Sequence, residues 1–220
     1  MNMIELRNVS KSYRSGPVVK HVSLTVEKGE RVVLFGPSGC GKSTVLLMIT
    51  GLVVPESGEV LIGGETVTSG GVNRREPGQR GIGMVFQDLA LWPHMTVAQN
   101  IEFGLKAKRM PSEERRACIQ NTTKTVGLEG RLEARPSELS GGEQQRVALA
   151  RALALEPRIV LMDEPLSSLD EALNLKLRSE ILRLHKALGF TLVYVTHNRD
   201  EAQEIGSRII HLRGGQILPA

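Results

Sequence analysis

Apolar and polar positions along this chain of 220 residues change their period several times, and each change predicts an element. In HVSLTVE, Val22, Leu24 and Val26 alternate with polar neighbours, the period of a half-buried strand, and IELRNV starts another strand before it. RVVLF (31–35) is a continuous apolar run that stops at glycine, as a parallel strand buried on both faces does. A helix is predicted over Thr44–Leu52, an edge hairpin strand over GEVLIGG (58–64) and a buried strand over GIGMVF (81–86). From Thr96 to Gly127 the period turns helical. Thr96 reads as the N-cap of VAQNIEFGLKAK, and Pro111-Ser112 opens a second helix, EERRACIQNTTKTV. A helix (143–155), a buried strand RIVLM (158–162), a helix (171–188), a strand TLVYV (191–195), a short helix and a closing pair, SRIIHL and GQIL, complete the pattern.

This order predicts an α/β fold with a mostly parallel sheet, an N-terminal antiparallel β subdomain and an inserted α-helical lobe. One domain is expected over 1–220. Residues 1–88 and 156–220 form its β subdomain and core, and 89–155 its helical lobe, including the helix that follows Ser140. Apolar residues make up 40% of the chain, enough for a sizeable core, and aromatic residues only 3%. The net charge of +4 suits either a polyanionic ligand or an ordinary surface. No block of like charge suggests a nucleic-acid arm, and the mixed run KAKRMPSEERR reads as solvated helix ends. Two cysteines, Cys40 and Cys118, lack metal-ligand spacing and point to a reducing compartment. MNMIELRNV has no signal-peptide pattern, and the apolar stretch VLLMITGLVV falls well short of the roughly 20 residues of a membrane helix. Any membrane association is expected to come through a partner.

The strongest chemical signal is GPSGCGKST (36–44), a full match to G-x-x-x-x-G-K-S/T between a predicted strand and a predicted helix. Gly36, Gly39 and Gly41 let the backbone curl so that N–H groups around Pro37, Ser38, Cys40 and Thr44 face phosphate oxygens, and the helix N-terminus adds partial positive charge. Lys42 is expected on the β- and γ-phosphates, and Ser43 on Mg²⁺. RIVLMDEP then brings Asp163 to the carboxyl end of a buried strand, where it can hold the metal, and Glu164 beside it, free to orient or deprotonate an attacking water. A core of the P-loop NTPase type follows.

LSGGEQQR (139–146) is a second glycine-rich helix start in the same chain. Ser140 is a good N-cap, Gly141 and Gly142 keep side chains out of the way, and Val147, Ala150 and Leu153–Ala154 form a core-facing stripe behind them. One nucleotide does not need two cradles in one domain, so the second suits a nucleotide held by another copy.

The phosphate loop, LSGGEQQR and the apolar strand ending in Asp-Glu, in that order, resemble the nucleotide-binding subunit of an ATP-binding cassette (ABC) transporter, over essentially the whole chain. The resemblance implies an ATPase that uses ATP and Mg²⁺ and works as a homodimer with two ATP molecules sandwiched between the copies. It places Tyr13 against adenine, with Val18 completing the base contact. Gln87 is implied as a contact to Mg²⁺ and water that links the core to the helical lobe, and His197 as a contact to the γ-phosphate. Ser140, Gly141 and Gly142 would meet the γ-phosphate of the opposite copy, and Ser167, Ser168, Leu169 and Asp170 match a loop that crosses the interface. Ser168 and Asn198 depart from the family's frequent Ala and Asp.

In QDLALWPHM, the apolar Leu89, Leu91 and Trp92 either pin a loop to the domain or offer an exposed docking surface to a membrane-spanning partner. The resemblance points to integral membrane permease subunits, a solute-binding protein and the cytoplasmic face of the cell membrane, with solute import as the direction. LWPHMTVAQNIEFGL looks like the branch serving polyamines, sugars, iron or inorganic anions, and the end at GGQILPA suggests that no regulatory domain follows. An exporter subunit and a soluble ABC ATPase stay open, and no nucleic-acid partner is expected. Cys40 is open to two readings, a reactive thiol at a helix N-terminus or an inert occupant of a variable loop position.

Overall fold

A computed structural model describes residues 1–219. In chain order the elements are β1 (Asn2–Tyr13), β2 (Gly16–Glu27), β3 (Arg31–Phe35), α1 (Lys42–Thr50), β4 (Ser57–Ile62), β5 (Glu65–Ser69), β6 (Val72–Asn73), β7 (Ile82–Val85), α2 (Val97–Ala107), α3 (Ser112–Thr125), α4 (Gly141–Leu153), β8 (Ile159–Asp163), α5 (Glu171–Leu188), β9 (Thr191–Thr196), α6 (Arg199–Ile205), β10 (Arg208–Arg213) and β11 (Gln216–Ile217).

Two sheets share the strands. One is antiparallel, in the order β2-β1-β4-β5-β6; the other, β11-β10-β3-β9-β8-β7, is parallel apart from β11. The strands of the parallel sheet are apolar without alternation because both faces are covered. Val32, Leu34, Leu161, Val193 and Val195 face a core shared with α1 and the antiparallel sheet. Val33, Val160, Met162, Leu192 and Tyr194 face a second core built with α2, α4, α5 and α6. Between β7 and β8 the chain leaves the sheet for α2, α3 and α4.

Several boundaries differ from the sequence expectation. The segment expected at a sheet edge, β4, is central: Leu61 pairs with Glu5 of β1 on one side and with Thr66 of β5 on the other. Its neighbour β5, and β6 beyond it, are short and polar, and the apolar pattern does not announce them. α1 starts at Lys42, two residues early, and is buried nearly all round, so it carries no amphipathic stripe. α4 starts at Gly141 rather than 143, directly after its cap Ser140. It buries Ala148, Leu149 and Ala152 as well as the expected stripe, since it is sandwiched between the sheet and α2 and α3. Arg80 lies buried between the layers, and its guanidinium donates to the Ile49 carbonyl at the end of α1, the Val67 carbonyl and the Thr68 hydroxyl of β5. It ties the phosphate-loop helix to the antiparallel sheet.

Candidate active site

Because β3, β9, β8 and β7 run parallel, their carboxyl ends lie along one edge. Phe35 is in register with Thr196, Asp163 with Val195, and Val85 with Met162. Gly36, His197, Glu164 and Gln87 follow these strands and so gather at that edge, where open α/β sheets place ligands.

The phosphate loop wraps the start of α1. Gly41 has φ +102, and a Cβ there would stand 2.7 Å from the Val18 carbonyl oxygen, so both its backbone and its surroundings require glycine. Lys42 is 3% exposed and turned back over the loop, where Nζ donates to the Gly36 carbonyl at 2.8 Å and the Pro37 carbonyl at 3.0 Å. Glu164 Oε1 lies 3.5 Å from the same Nζ. Ser43 Oγ donates to Asp163 Oδ1 at 2.9 Å. Burial holds the Asp163 carboxyl above its ordinary range, and the neighbouring Glu164 charge adds to that, while the Ser43 hydrogen bond works against it.

Glu164 occupies the left-handed region at φ 42, and its N–H donates to the Val195 carbonyl at 3.0 Å. A non-glycine residue persists there only when the surroundings hold it. Its Oε2 is 2.9 Å from Nδ1 of the half-exposed His197. Val18, Ser38, Gly39, Gly41, Lys42, Ser43, Thr44, Gln87 and Glu164 line one groove of about 360 Å³.

Four of the sequence-derived positions lie elsewhere. Tyr13 sits in the β1–β2 hairpin, 45% exposed, with Lys11 Nζ 5.7 Å from the ring centroid; it does not line the groove. Ser140, Gly141 and Gly142 do not line it either. A Cβ on Gly141 would meet Leu169 of the loop after β8 at 3.4 Å, and one on Gly142 would meet Leu173, in the first turn of α5, at 2.8 Å. Ser140 and Glu143 form a reciprocal capping box, and the Ser140 backbone N–H foremost holds the Glu143 carboxyl below its usual range. The Cys40 thiol is buried in the core below the loop, which favours the inert reading of that residue.

Sequence reasoning missed the residues that shape the loop after Gln87. Leu89 and Ala90 are both left-handed, at φ 59 and 46, and their carbonyls accept from Nη2 and Nη1 of Arg151 on α4. Asn100, fully buried, accepts from the Trp92 N–H and donates to the carbonyls of Trp92, Met95 and Thr96. Its signal was present, since Asn100 is a polar residue on the face of α2 that buries Val97, Ile101 and Leu105. Of the two readings of Trp92, its seating favours the one in which it pins the loop to the domain. It is partly buried, 4.3 Å from Phe103 between ring centroids and 5.0 Å below the Arg151 guanidinium, while Phe103 is 48% exposed.

Residues 19–167 match a family profile described as ABC transporter. Over 217 residues the chain is 48% identical to the sn-glycerol-3-phosphate import ATP-binding protein UgpC 2 of Agrobacterium fabrum, covering 99% of this chain and 57% of that protein. Over 214 residues it is 47% identical to the Fe(3+) ions import ATP-binding protein FbpC of Rhizobium etli, covering 97% of this chain and 59% of that protein. The chain thus spans less than two thirds of the length of these relatives. Among solved structures, it is similar to the dimeric post-hydrolysis state of the ATP-binding cassette MJ0796 bound to ADP and Pi, at TM-score 0.86 and 38% identity over 99% of this chain and 97% of that one. It is also similar to cbiO1 from Clostridium perfringens, part of the ABC transporter complex cbiONQ, at TM-score 0.88 and 26% identity over 99% of this chain and 87% of that one.

Proposed function

The chain belongs to the ABC transporter family, and from that premise we propose that it is an ATP-hydrolysing subunit that powers solute import, working as a pair of copies around two ATP molecules. The observation that carries this reading is the convergence on one groove of Lys42, Ser43 and Glu164, with Asp163 hydrogen-bonded to Ser43 and His197 to Glu164. In this reading residues 89–155 form a helical lobe on a core made of 1–88 and 156–220.

The donor set suits Mg²⁺, because Ser43 Oγ and Asp163 Oδ1 are hard oxygens 2.9 Å apart beside the phosphate loop, and this ion is usually held by one or two carboxylates together with substrate phosphates. Gln87, on the same groove, adds a third oxygen donor. When bound, Mg²⁺ offsets charge on the β- and γ-phosphates and aligns them. Lys42 exchanges the Gly36 and Pro37 carbonyls for phosphate oxygens. Glu164 orients the attacking water and accepts its proton, and His197 holds the other oxygen of that carboxylate. Val18 flanks the nucleotide, and the half-exposed Tyr13 ring, outside the groove, is offered to adenine.

Ser140, Gly141 and Gly142 offer the N-terminus of α4, which in this reading meets the γ-phosphate bound to the second copy. That they lie outside the groove of their own chain supports a site completed by a partner, as does the dimeric cassette among the similar structures. Among the described residues no helix is long and apolar enough to cross a membrane. In this reading permease subunits hold the chain at the cytoplasmic face of the cell membrane and a solute-binding protein delivers the cargo, a reading supported by the import names of the relatives.

Phosphate release from Mg-ATP tests the proposal. Wild-type protein hydrolyses ATP, and Glu164→Gln lowers kcat by about 10²–10⁴-fold while nucleotide binding persists. Hydrolysis unchanged in Glu164→Gln, or no nucleotide binding by the wild type, contradicts it.

A further inference from the structure

Behind the edge that carries Glu164 and His197 lies a chain of buried polar side chains with no part in the mechanism above. Tyr194 of β9 is fully buried, Glu201 of α6 is 3% exposed, and Asn174 and Arg178 of α5 are 7% and 5% exposed. Tyr194 Oη donates to Glu201 Oε2 at 2.9 Å, and Asn174 Nδ2 donates to Glu201 Oε1 at 3.0 Å. The same Nδ2 reaches the Leu166 carbonyl at 3.2 Å, and Arg178 Nε donates to Asn174 Oδ1 at 2.6 Å. Arg178 then reaches Glu204 at 3.2 Å.

These contacts close a ring. From Glu164 the chain runs two residues to Leu166, whose carbonyl is held by Asn174. Asn174 holds Glu201, which lies in the first turn of α6. Asn198, the N-cap of that helix, accepts from the Glu201 N–H at 3.1 Å, and His197 directly precedes it. His197 Nδ1 returns to Glu164 Oε2 at 2.9 Å. Both ends of the Glu164–His197 hydrogen bond are therefore anchored to one buried Asn–Glu pair. Desolvating a carboxylate this deeply is costly unless it is hydrogen-bonded, and replacing such a network by apolar groups is often neutral for stability. What apolar packing cannot supply is a fixed spacing between two loops, one of which holds Glu164 at φ 42.

We infer that Asn174 and Glu201 are positioning residues that set the geometry of the Glu164–His197 pair, acting through the Leu166 carbonyl on one side and the first turn of α6 on the other. The inference rests on the ATPase reading for its kinetic consequence, and its structural consequence stands without it.

A double-mutant cycle tests it. Asn174→Ala lowers kcat by about 10–100-fold with little change in KM for ATP, the loss expected when a reacting pair is misplaced by about 1 Å. In a His197→Ala background the same substitution produces no further loss, because the pair it positions is already broken. A merely structural residue gives the same loss in both backgrounds, and that result overturns the inference, as does an unchanged kcat. Tyr194→Phe, which removes one hydroxyl, runs the same cycle at smaller amplitude should Asn174→Ala fail to fold. The imidazole resonances of His197, assigned by their loss in His197→Ala, provide a readout that needs no turnover. They shift in Asn174→Ala or Tyr194→Phe, and unmoved resonances overturn the inference even if the wild type proves unable to hydrolyse ATP, an outcome that sinks the ATPase reading alone.

Discussion

His197 Nδ1 lies 2.9 Å from Glu164 Oε2, across the ends of the adjacent strands β9 and β8. The other oxygen of Glu164 is 3.5 Å from Lys42 Nζ, so one carboxylate stands between the phosphate-loop lysine and the histidine. Lys42 has two carbonyl partners of its own and does not depend on Glu164, whereas Glu164 depends on His197 for its short contact. His197→Ala is therefore expected to leave ATP affinity within about twofold and to lower kcat by about 10²-fold, the effect of losing the orientation of a general base. Steady-state kinetics with a parallel nucleotide-binding titration checks this, and an equal loss in both quantities points instead to a γ-phosphate contact made in the ground state.

Arg151 holds two strained carbonyls and the face of Trp92 together, on the loop that begins at Gln87. Residues confined to the left-handed region cost about 1–3 kcal/mol each unless held. In Arg151→Ala the loop is expected to relax and the indole to become more exposed, shifting its fluorescence to the red. Trp92 is the only tryptophan in the chain, so the emission reports this loop alone. Gln87 lines the groove, so nucleotide binding should change the emission of the wild type and change that of the variant much less. Identical spectra and identical responses would show that Arg151 does not shape the loop.

His185 gives stability an acid limit. Its ring is buried, meets Phe190 edge-on at 5.2 Å and donates from Nε2 to the Gly29 carbonyl at 3.1 Å. Burial foremost, with the nearby Arg31 charge, holds its pKa below 6.5, the ordinary value. Below about pH 6.5 the unfolded chain binds a proton that the native ring refuses. This contribution is thus fully present above that pH and is lost as the pH falls through the depressed native value. Thermal melts of wild type and His185→Gln between pH 7.5 and 5 should diverge on the acid side, with the wild type losing Tm faster. Parallel curves would assign the acid limit to other groups.

The parts of the fold read most directly from sequence are those where local pattern and burial agree. The helix expected over 171–188 is α5 to the residue, because Asp170 caps its start and Gly189, in the left-handed region at φ 68, ends it. β3, β8 and β9 were legible because strands covered on both faces are apolar throughout. β4 read as an edge because the polar partner that makes it central, β5, carries no apolar period of its own. At the site, the phosphate loop before α1 and the carboxylates at the end of β8 were legible from motif and strand end, whereas His197 after β9 was singled out only by the resemblance. The ring through Asn174 and Glu201 was not, since its members are 27 residues apart and Asn174 occupies a position that helical periodicity leaves unremarkable. The seating of Trp92 was hidden for the same reason, because its partner Arg151 lies 59 positions further along the chain.

In the proposed dimer each chain carries two halves of different active sites. The rate of ATP hydrolysis as a function of protein concentration tests it most directly, with sedimentation run alongside to report the dimer. If Ser140–Gly142 of one copy complete the groove of another, the rate rises more steeply than linearly with concentration and the specific activity falls toward zero on dilution. A strictly linear dependence, continuing down to concentrations at which the protein is monomeric, contradicts the account.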